Sequence, residues 1–85
     1  MTDFLRQHLG NNLSIARNAV GISQEELAQR SSLHRTIVGE VERGARVPQL
    51  DTFLKLAAGL GLSPQELLAG IEWDSDAQFF GPPSA

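Results

Sequence analysis

Two residue types that often stabilise or functionalise small domains are missing, because the chain of 85 residues contains no cysteine and no tyrosine. Without cysteine, disulfide bonds and thiolate metal sites are excluded. No apolar run approaches the roughly 20 residues that cross a bilayer, so a membrane protein is not expected. A chain of this length forms one domain at most. Because no disulfide supports that domain, we expect it to be efficiently helical.

Signatures of export and of catalysis are also missing. The N-terminal sequence MTDFLR has an early acid where a secretory signal has a basic region and then an apolar stretch, so we expect a cytoplasmic protein. His8 and His34 are not at metal-ligand spacing, and the chain has neither a glycine-rich phosphate loop nor a nucleophile elbow. We therefore expect no enzyme activity, no metal site and no cofactor.

The formal net charge of −3 argues against a nucleic-acid partner only as an average over the chain. Residues 71–85 contain three acids and no base, which leaves seven bases against seven acids in residues 1–70. From Arg30 to Arg46, four arginines stand against two glutamates, a local excess of two positive charges. A basic surface is therefore compatible with an acidic protein.

Apolar residues recur at steps of three to four positions, and this periodicity predicts five short helices followed by a tail. No stretch alternates with the period of two that indicates a strand, so the expected fold class is all-α. Thr2 or Asp3 is expected to cap the first helix, which ends before Gly21. The residues predicted to point inward are Leu5, Leu9, Leu13, Ala16 and Val20 in the first helix, Val38 and Val41 in the third, and Leu50, Phe53, Leu54, Ala57 and Leu60 in the fourth.

Two capping boxes predict where helices begin. Ser23 is followed three residues later by Glu26, and Ser63 is followed at the same distance by Glu66. In such a box the serine hydroxyl and the glutamate carboxylate each accept a hydrogen bond from the other residue's otherwise unpaired backbone amide. These pairs predict the starts of the second and fifth helices.

Glycines mark the expected helix ends. Gly44 and Gly61 stand where a left-handed residue would stop the third and fourth helices. After Gly70 the composition becomes acidic and then aromatic, without helical periodicity, so we expect a flexible end. The predicted organisation is a helical domain over residues 1–70 and an acidic, aromatic tail over residues 71–85.

The segment 23–44, with the sequence SQEELAQRSSLHRTIVGEVERG, predicts two short helices joined by a turn of about three residues. This is the geometry of a helix-turn-helix. The pattern Ser-Gln-x-x-Leu-Ala, then Leu-x-Arg-Thr, then Val-Glu-Arg-Gly, followed by Pro and Leu-Asp-Thr, resembles the lambda-repressor-like, XRE family of bacterial and phage regulators. The resemblance covers residues 9–69, and residues 33–44 look closest to the controller proteins of restriction-modification systems.

The resemblance implies a compact five-helix DNA-binding domain whose helix-turn-helix is formed by the second and third helices. It also implies a homodimeric, sequence-specific regulator of transcription that binds a partly palindromic operator in double-stranded DNA, as a repressor or as a regulator of its own gene. Such a protein would be associated with the bacterial nucleoid through its function. An α-helix fits the major groove, which is about 12 Å wide.

With Val38 and Val41 inside, the third helix is expected to present its other face to DNA. The residues that match the base-contacting positions of the family are Arg35, Thr36, Gly39 and Glu40. Arginine can bind guanine through two hydrogen bonds, threonine can contact a thymine methyl group, and glutamate can accept a hydrogen bond from cytosine N4. The alternatives are a solvated cation at the start of the helix for Arg35 and an ion pair with Arg43 for Glu40.

A second set of residues is expected to contact phosphates. Its members are Ser23 and Gln24 at the start of the second helix, His34 before the third, and Arg43 and Arg46 after it. The family uses a glutamine at the position of Gln24 for this purpose, and free amides at a helix start also favour anions. Alternatively, Gln24 and His34 are ordinary polar residues, and the arginines complement the dipole of the third helix. Arg46 is the stronger candidate because it has no evident helical role.

Arg17 and Glu42 match positions that in the family form a buried ion pair between the first and third helices. The alternative is two separate surface charges. The sequence departs from the family pattern at three places. Ser32 replaces the usual glycine of the turn, His34 replaces the usual cap of the third helix, and Gln49 replaces that of the fourth.

Trp73, Phe79 and Phe80 lie outside the predicted core, in a segment too short to fold alone. They are expected to pack on their own chain, on a two-fold partner together with Leu68 and Ile71, or on a different protein. We favour the dimer, because a single helix-turn-helix makes too few contacts for tight specific binding.

Two protein partners remain as alternatives. Glu25 and Glu26, exposed on the second helix, are candidates to contact RNA polymerase, as acidic residues do in some activators of the family, although we favour a role only in capping the helix. The competing hypothesis for the whole protein is an antitoxin whose C-terminal region binds a toxin protein, with DNA binding secondary.

Overall fold

The computed structural model describes residues 3–83 as five helices followed by a two-stranded hairpin. The elements are α1 Asp3–Val20, α2 Gln24–Arg30, α3 Arg35–Glu42, α4 Leu50–Leu60, α5 Pro64–Leu67, β1 Glu72–Asp74 and β2 Phe79–Gly81. The number and order of the helices confirm the predicted architecture. Thr2, one of the two expected caps of α1, lies outside the described residues. Within residues 3–83, no helix is both long enough and apolar enough to cross a membrane.

The core lies between the first four helices, where α2 packs on α3 and α4 and α1 packs on α3, and α5 closes it against α1 and α4. Its buried residues are Leu9, Leu13, Leu27, Ala28, Val38, Val41, Phe53, Leu56, Ala57, Leu60 and Leu67. Three residues predicted to point inward are instead exposed: Val20, Leu50 and Leu54. Val20 and Leu50 are terminal residues of their helices, and Leu54 is turned about 100° from Phe53 around α4, away from the buried stripe.

The first four helices all end in the same way, with a residue of positive φ followed by an amide that bonds back into the helix. The residues of positive φ are Gly21, Ser32, Gly44 and Gly61. In each case the next amide donates to the carbonyl five residues before it, as in a Schellman motif. The predictions for Gly44 and Gly61 are confirmed. Ser32 adopts the left-handed conformation at φ 54° although it carries a side chain.

Only one of the two predicted capping boxes is complete. The Ser63 hydroxyl accepts from the Glu66 amide, and the Glu66 carboxylate accepts from the Ser63 amide at 2.8 Å. The backbone and side-chain hydrogen bonds with Ser63 hold the pKa of the Glu66 carboxyl below its ordinary value. At α2 the Ser23 hydroxyl accepts from the Glu26 amide at 3.0 Å, but the Glu26 carboxylate turns away and pairs with Arg30.

The expectation of a flexible, strand-free segment after α5 is wrong, because β1 and β2 form an antiparallel hairpin. Trp73 lies opposite Phe80, and their rings meet edge to face with centroids 5.1 Å apart. The carboxylate of Asp74 accepts hydrogen bonds from the amides of Asp76 and Ala77, which fixes the turn. β2 packs against α1, so the hairpin extends the helical domain.

A close approach between backbones fixes how α1 lies on α3. A Cβ atom on Gly10 would lie 2.6 Å from the carbonyl oxygen of Val41 and 2.7 Å from that of Glu42. Glycine at this position therefore lets α1 touch the end of α3 directly. Two residues further along α1, the Asn12 side-chain amide donates to the carbonyl of Leu67, the last residue of α5, at 3.0 Å and to that of Ala69 at 2.9 Å.

Candidate nucleic-acid interface

α2 and α3 pack against each other across a turn of four residues, 31–34. Ser32, in the left-handed conformation, lies within this turn. Val38 and Val41 are 0% and 1% exposed, which confirms the predicted inner face of α3. The first turn of α3 is exposed and begins with Arg35 and Thr36. The arrangement presents one short helix to solvent, with an arginine at its leading end.

Arg35 borders a cleft of about 380 Å³ between the start of α2 and the start of α3. The lining residues are Arg17, Ser23, Gln24, Glu25 and Arg35. Within the part of the chain that the structure describes, Arg35 has no ion-pair partner, although Glu25 shares the cleft. Arg35 therefore provides the guanidinium group of this opening that has no ion-pair partner within the described residues, and such a group is suited to phosphate oxygens.

Arg17 and Glu42, the residues expected to form an ion pair, lie in contact. Arg17 Nε donates to Glu42 Oε2 at 2.6 Å, and Nη2 donates to Oε1 at 3.1 Å. The side chains are 14% and 7% exposed. The hydrogen bonds to Glu42 raise the pKa of Arg17 above its ordinary value, against an opposing effect of burial. Arg17 Nη1 also donates to the carbonyl of Ile22, so the pair is almost fully satisfied.

Gln24 belongs to the same network, a contact that the sequence analysis missed. Its side-chain amide donates to Glu42 Oε1 at 3.0 Å, so one carboxylate joins α1, α2 and α3. Nothing in the spacing of the two residues indicated this bond, because it depends on the angle between α2 and α3. The carboxamide expected to contact a phosphate is thereby held at the edge of the cleft.

Gly39 lies beneath other side chains, and the expectation that it forms part of the exposed face is wrong. It is buried, and a Cβ at this position would lie 3.1 Å from Nη1 of Arg43 and 3.6 Å from Oε1 of Gln24. The two longer side chains cover the space that glycine leaves empty. The predicted base contact would therefore require both of them to move.

Glu40 and Arg46 form an ion pair that the sequence analysis also missed. Arg46 Nε lies 2.8 Å from Glu40 Oε1, and the side chains are 46% and 29% exposed. The alternative partner for Glu40, Arg43, is not the one observed, and Arg46 does have a role at the end of α3. The Schellman motif explains the contact, because the Ala45 amide bonds back to the Glu40 carbonyl at 2.9 Å and turns the chain beside it.

The other predicted phosphate-contacting residues lie around the two helix starts and the end of α3. His34 is the exposed N-cap residue of α3 and makes no capping hydrogen bond with its side chain. The Ser23 hydroxyl caps α2, and Arg43 is exposed where α3 ends. All three residues thus lie at the ends of α2 or α3.

The residues predicted to contact a second copy divide into two groups. Leu68, Trp73 and Phe79 are exposed, whereas Ile71 and Phe80 are half-buried within their own chain. Leu68 also lines an apolar groove of about 280 Å³ between α1, the α3–α4 connection and α4. The groove-lining residues are Leu5, Leu9, Val47, Pro48, Leu50, Phe53 and Leu68.

Comparison with known proteins gives concordant matches. A helix-turn-helix family model matches residues 13–67. Control protein C.SmaI of Serratia marcescens is 42% identical over 64 residues, which are 75% of this chain and 76% of that protein. The crystal structure of the restriction-modification controller protein C.AhdI from Aeromonas hydrophila has 48% sequence identity and a TM-score of 0.69, over 71% of this chain and 91% of that one.

The fold is also that of a phage repressor domain. The DNA-binding domain of the P22 c2 repressor superposes with a TM-score of 0.69 and 25% identity, over 74% of this chain and 83% of that one. The fold, the helix-turn-helix and the relatives agree with the resemblance that the sequence indicated. The chain belongs to the helix-turn-helix family, and it is similar to the controller proteins of restriction-modification systems.

Proposed function

We propose that this DNA-binding transcriptional regulator acts as a homodimer that inserts α3 of each copy into the major groove of a partly palindromic operator, as a repressor or as a regulator of its own gene. The observation that carries the proposal is the exposed start of α3. There Arg35 and Thr36 project from a helix whose opposite face is anchored in the core. A helix held rigidly on one face can position side chains on the other against base edges.

Arg35 supplies the main base contact in this proposal. It lies at the leading end of α3, where the N-terminal residues of a recognition helix meet base edges. Its guanidinium group suits guanine O6 and N7, and such a contact gives roughly 1–3 kcal/mol of discrimination against other bases. Thr36 and Glu40, which are four residues apart on α3, add contacts to thymine and cytosine.

Phosphate contacts at both ends of α3 would fix its register on the duplex. Gln24 and Ser23 border the cleft at one end, and Arg43 and Arg46 lie at the other. His34 precedes α3 as its N-cap residue. Because residues 30–46 carry an excess of only two positive charges, binding to unrelated sequences would be weak and sensitive to salt.

Dimerisation would provide the second half of the operator contacts. The exposed groove residues support it, because Leu50 is 72% exposed and Val47 42% exposed, next to Leu68. Trp73 and Phe79 on the hairpin would add to the contact. Apolar side chains grouped in this way are typical of surfaces that another protein covers.

Selection of bound sequences from a random duplex library tests the proposed DNA recognition. We expect the wild-type chain to enrich two similar half-sites related by a two-fold axis, with their centres about one helical turn apart. Enrichment of a single, non-repeated half-site would refute the dimeric mode. No enrichment at all would refute sequence-specific binding.

Measurement of mass in solution tests the proposed dimer surface. Leu50→Asp should convert the dimer to a monomer, because it places a carboxylate in the apolar groove. Ile15→Asp is the matched control, since Ile15 is 69% exposed on α1 and does not line the groove. Equal effects of both changes would argue against the groove, and a dimer that persists without residues 72–85 would exclude a role for the hairpin.

A further inference from the structure

Arg46 is the only one of the predicted phosphate-contacting arginines that is ion-paired within the described residues 3–83. Arg43 is exposed without an ion pair there, whereas Arg46 Nε donates to Glu40 at 2.8 Å. Glu40 in turn is the only acid among the residues expected to contact bases. The pair therefore joins a candidate base contact to a candidate phosphate contact.

The backbone holds these two side chains beside each other before any DNA arrives. Gly44 takes a left-handed conformation at φ 73°, and the Ala45 amide bonds to the carbonyl of Glu40 itself. Arg46 follows directly and lies back over the Glu40 side chain, which remains only 29% exposed. Because the approach is fixed by a helix-ending motif, little chain entropy opposes the ion pair.

The side chains of Glu40 and Arg46 are suited to different parts of a duplex. A carboxylate can accept a hydrogen bond from cytosine N4, but it repels phosphate and makes no favourable contact with guanine O6 or thymine O4. A guanidinium group binds phosphate oxygens strongly. While Arg46 Nε donates to Glu40, the carboxylate offsets the positive charge that the guanidinium group would present to the DNA backbone.

On this basis, and resting on the DNA recognition proposed above, we infer that Glu40 withholds Arg46 from the DNA backbone until a cytosine amino group takes over the carboxylate. On a duplex without that cytosine, Arg46 stays paired and one phosphate contact is lost. On the operator, Glu40 turns to the base and Arg46 is released to a phosphate. One base pair thus contributes to the affinity in two ways, through its own hydrogen bond to Glu40 and through the phosphate contact of the released Arg46.

Salt dependence of binding measures this exchange, because each phosphate contact contributes about 0.9 to the slope of log K against log salt. In the 85-residue chain, Arg46→Ala should lower the slope by about one on the selected operator and change it little on an unrelated duplex. Glu40→Gln, which keeps the shape and removes the charge, should raise affinity for the unrelated duplex roughly two- to fivefold, the range expected for an exposed ion pair. It should also steepen the slope there by about one.

A double-mutant comparison separates release of Arg46 from simple loss of a negative charge. In the Arg46→Ala background, Glu40→Gln should no longer steepen the slope on the unrelated duplex. Glu25→Gln is the matched control, because Glu25 is an exposed acid beside the cleft and has no ion-pair partner within residues 3–83. It should act equally in both backgrounds.

Two outcomes would overturn the inference while leaving the proposed DNA recognition intact. One is a Glu40→Gln effect of the same size with and without Arg46. The other is an Arg46→Ala effect on the slope that is equal on operator and unrelated DNA. If the wild-type chain selects no sequence from a duplex library, the proposed function fails first and the inference fails with it.

Discussion

Two glutamates on α3, only two residues apart, each hold an arginine in a different way. Glu42 on the inner face binds Arg17 and Gln24, and the two charged side chains are 14% and 7% exposed. Glu40 on the outer face binds Arg46, and these side chains are 29% and 46% exposed. Because residues two apart on a helix point about 200° away from each other, one short helix can carry both arrangements.

The two ion pairs differ in how well water can solvate one partner when the other is removed. Water readily solvates either partner of the outer pair if the other leaves, so that pair contributes about 0–1 kcal/mol to stability. The inner carboxylate is shielded and joins three helices, so loss of one partner leaves a charge that water reaches poorly. The inner face of α3 fixes the fold, and the outer face keeps its groups available for exchange.

The largest expected effect on stability comes from breaking the inner ion pair, Arg17–Glu42. Glu42→Gln should lower the free energy of unfolding by about 3 kcal/mol, the lower end of the range for buried ion pairs, because Arg17 retains some exposure. Glu40→Gln, the matched change on the outer face, should cost less than about 1 kcal/mol. Urea unfolding of both variants checks the comparison, and equal losses would contradict it.

The second effect tests whether the inner face depends on close contact with α1. Gly10→Ala places a methyl group against the carbonyl oxygens of Val41 and Glu42, so the helices must separate. We expect a loss of about 2 kcal/mol, since overpacking outweighs the better helix propensity of alanine. Asn11→Ala, at the exposed neighbouring position, should be neutral or slightly stabilising. A stable Gly10→Ala protein would mean that α1 can shift on α3 at little cost.

The third effect concerns the outer face and is measured on DNA. Arg35→Ala should weaken binding to the selected operator roughly tenfold and remove the preference at one base pair, while the free energy of unfolding stays within about 0.5 kcal/mol. Arg43→Ala should weaken binding to all duplexes alike. Binding titrations on operator variants distinguish the two. If Arg35→Ala keeps the wild-type preference at every position, α3 does not contact bases through that residue.

The smallest effect lies in the turn that joins α2 to α3. Ser32→Gly should stabilise the protein by about 0.5 kcal/mol, because glycine adopts a positive φ without steric cost but loses more entropy on folding. Gly61→Ser, the reverse change at a comparable left-handed position, should destabilise by about 1 kcal/mol. Thermal unfolding compares them, and a destabilising Ser32→Gly would show that the serine makes a contact worth more than the backbone strain.

The helices and their ends could be predicted because each depends on local signals. Apolar spacing located α1, α3 and α4, the capping boxes located the starts of α2 and α5, and Gly44 and Gly61 marked where two helices end. The inward residues of α4 could be predicted only in part. Leu50 and Phe53 satisfy the same spacing, but only Phe53 reaches the core. Periodicity gives the direction of a side chain but not the extent of the surface that it meets.

The hairpin escaped prediction because its strands have only three residues each, too few for an alternating pattern. A signal was present in Asp74, whose carboxylate organises the turn, between aromatic residues that pair across the strands. The bonds from Gln24 to Glu42 and from Arg46 to Glu40 could not be predicted. They depend on how α2 and the chain after α3 are angled against that helix, which no local pattern records.

The length of α3 has a consequence for how much information one copy of the protein can extract from a genome. Its eight residues extend about 12 Å, the length of three to four base-pair steps. A given run of four base pairs recurs by chance about once in 250 positions, and a run of eight about once in 65,000, against the roughly 10⁶ or more competing sites of a genome. A single copy with so short a recognition helix therefore cannot specify a unique site in a genome, whichever side chains the helix carries.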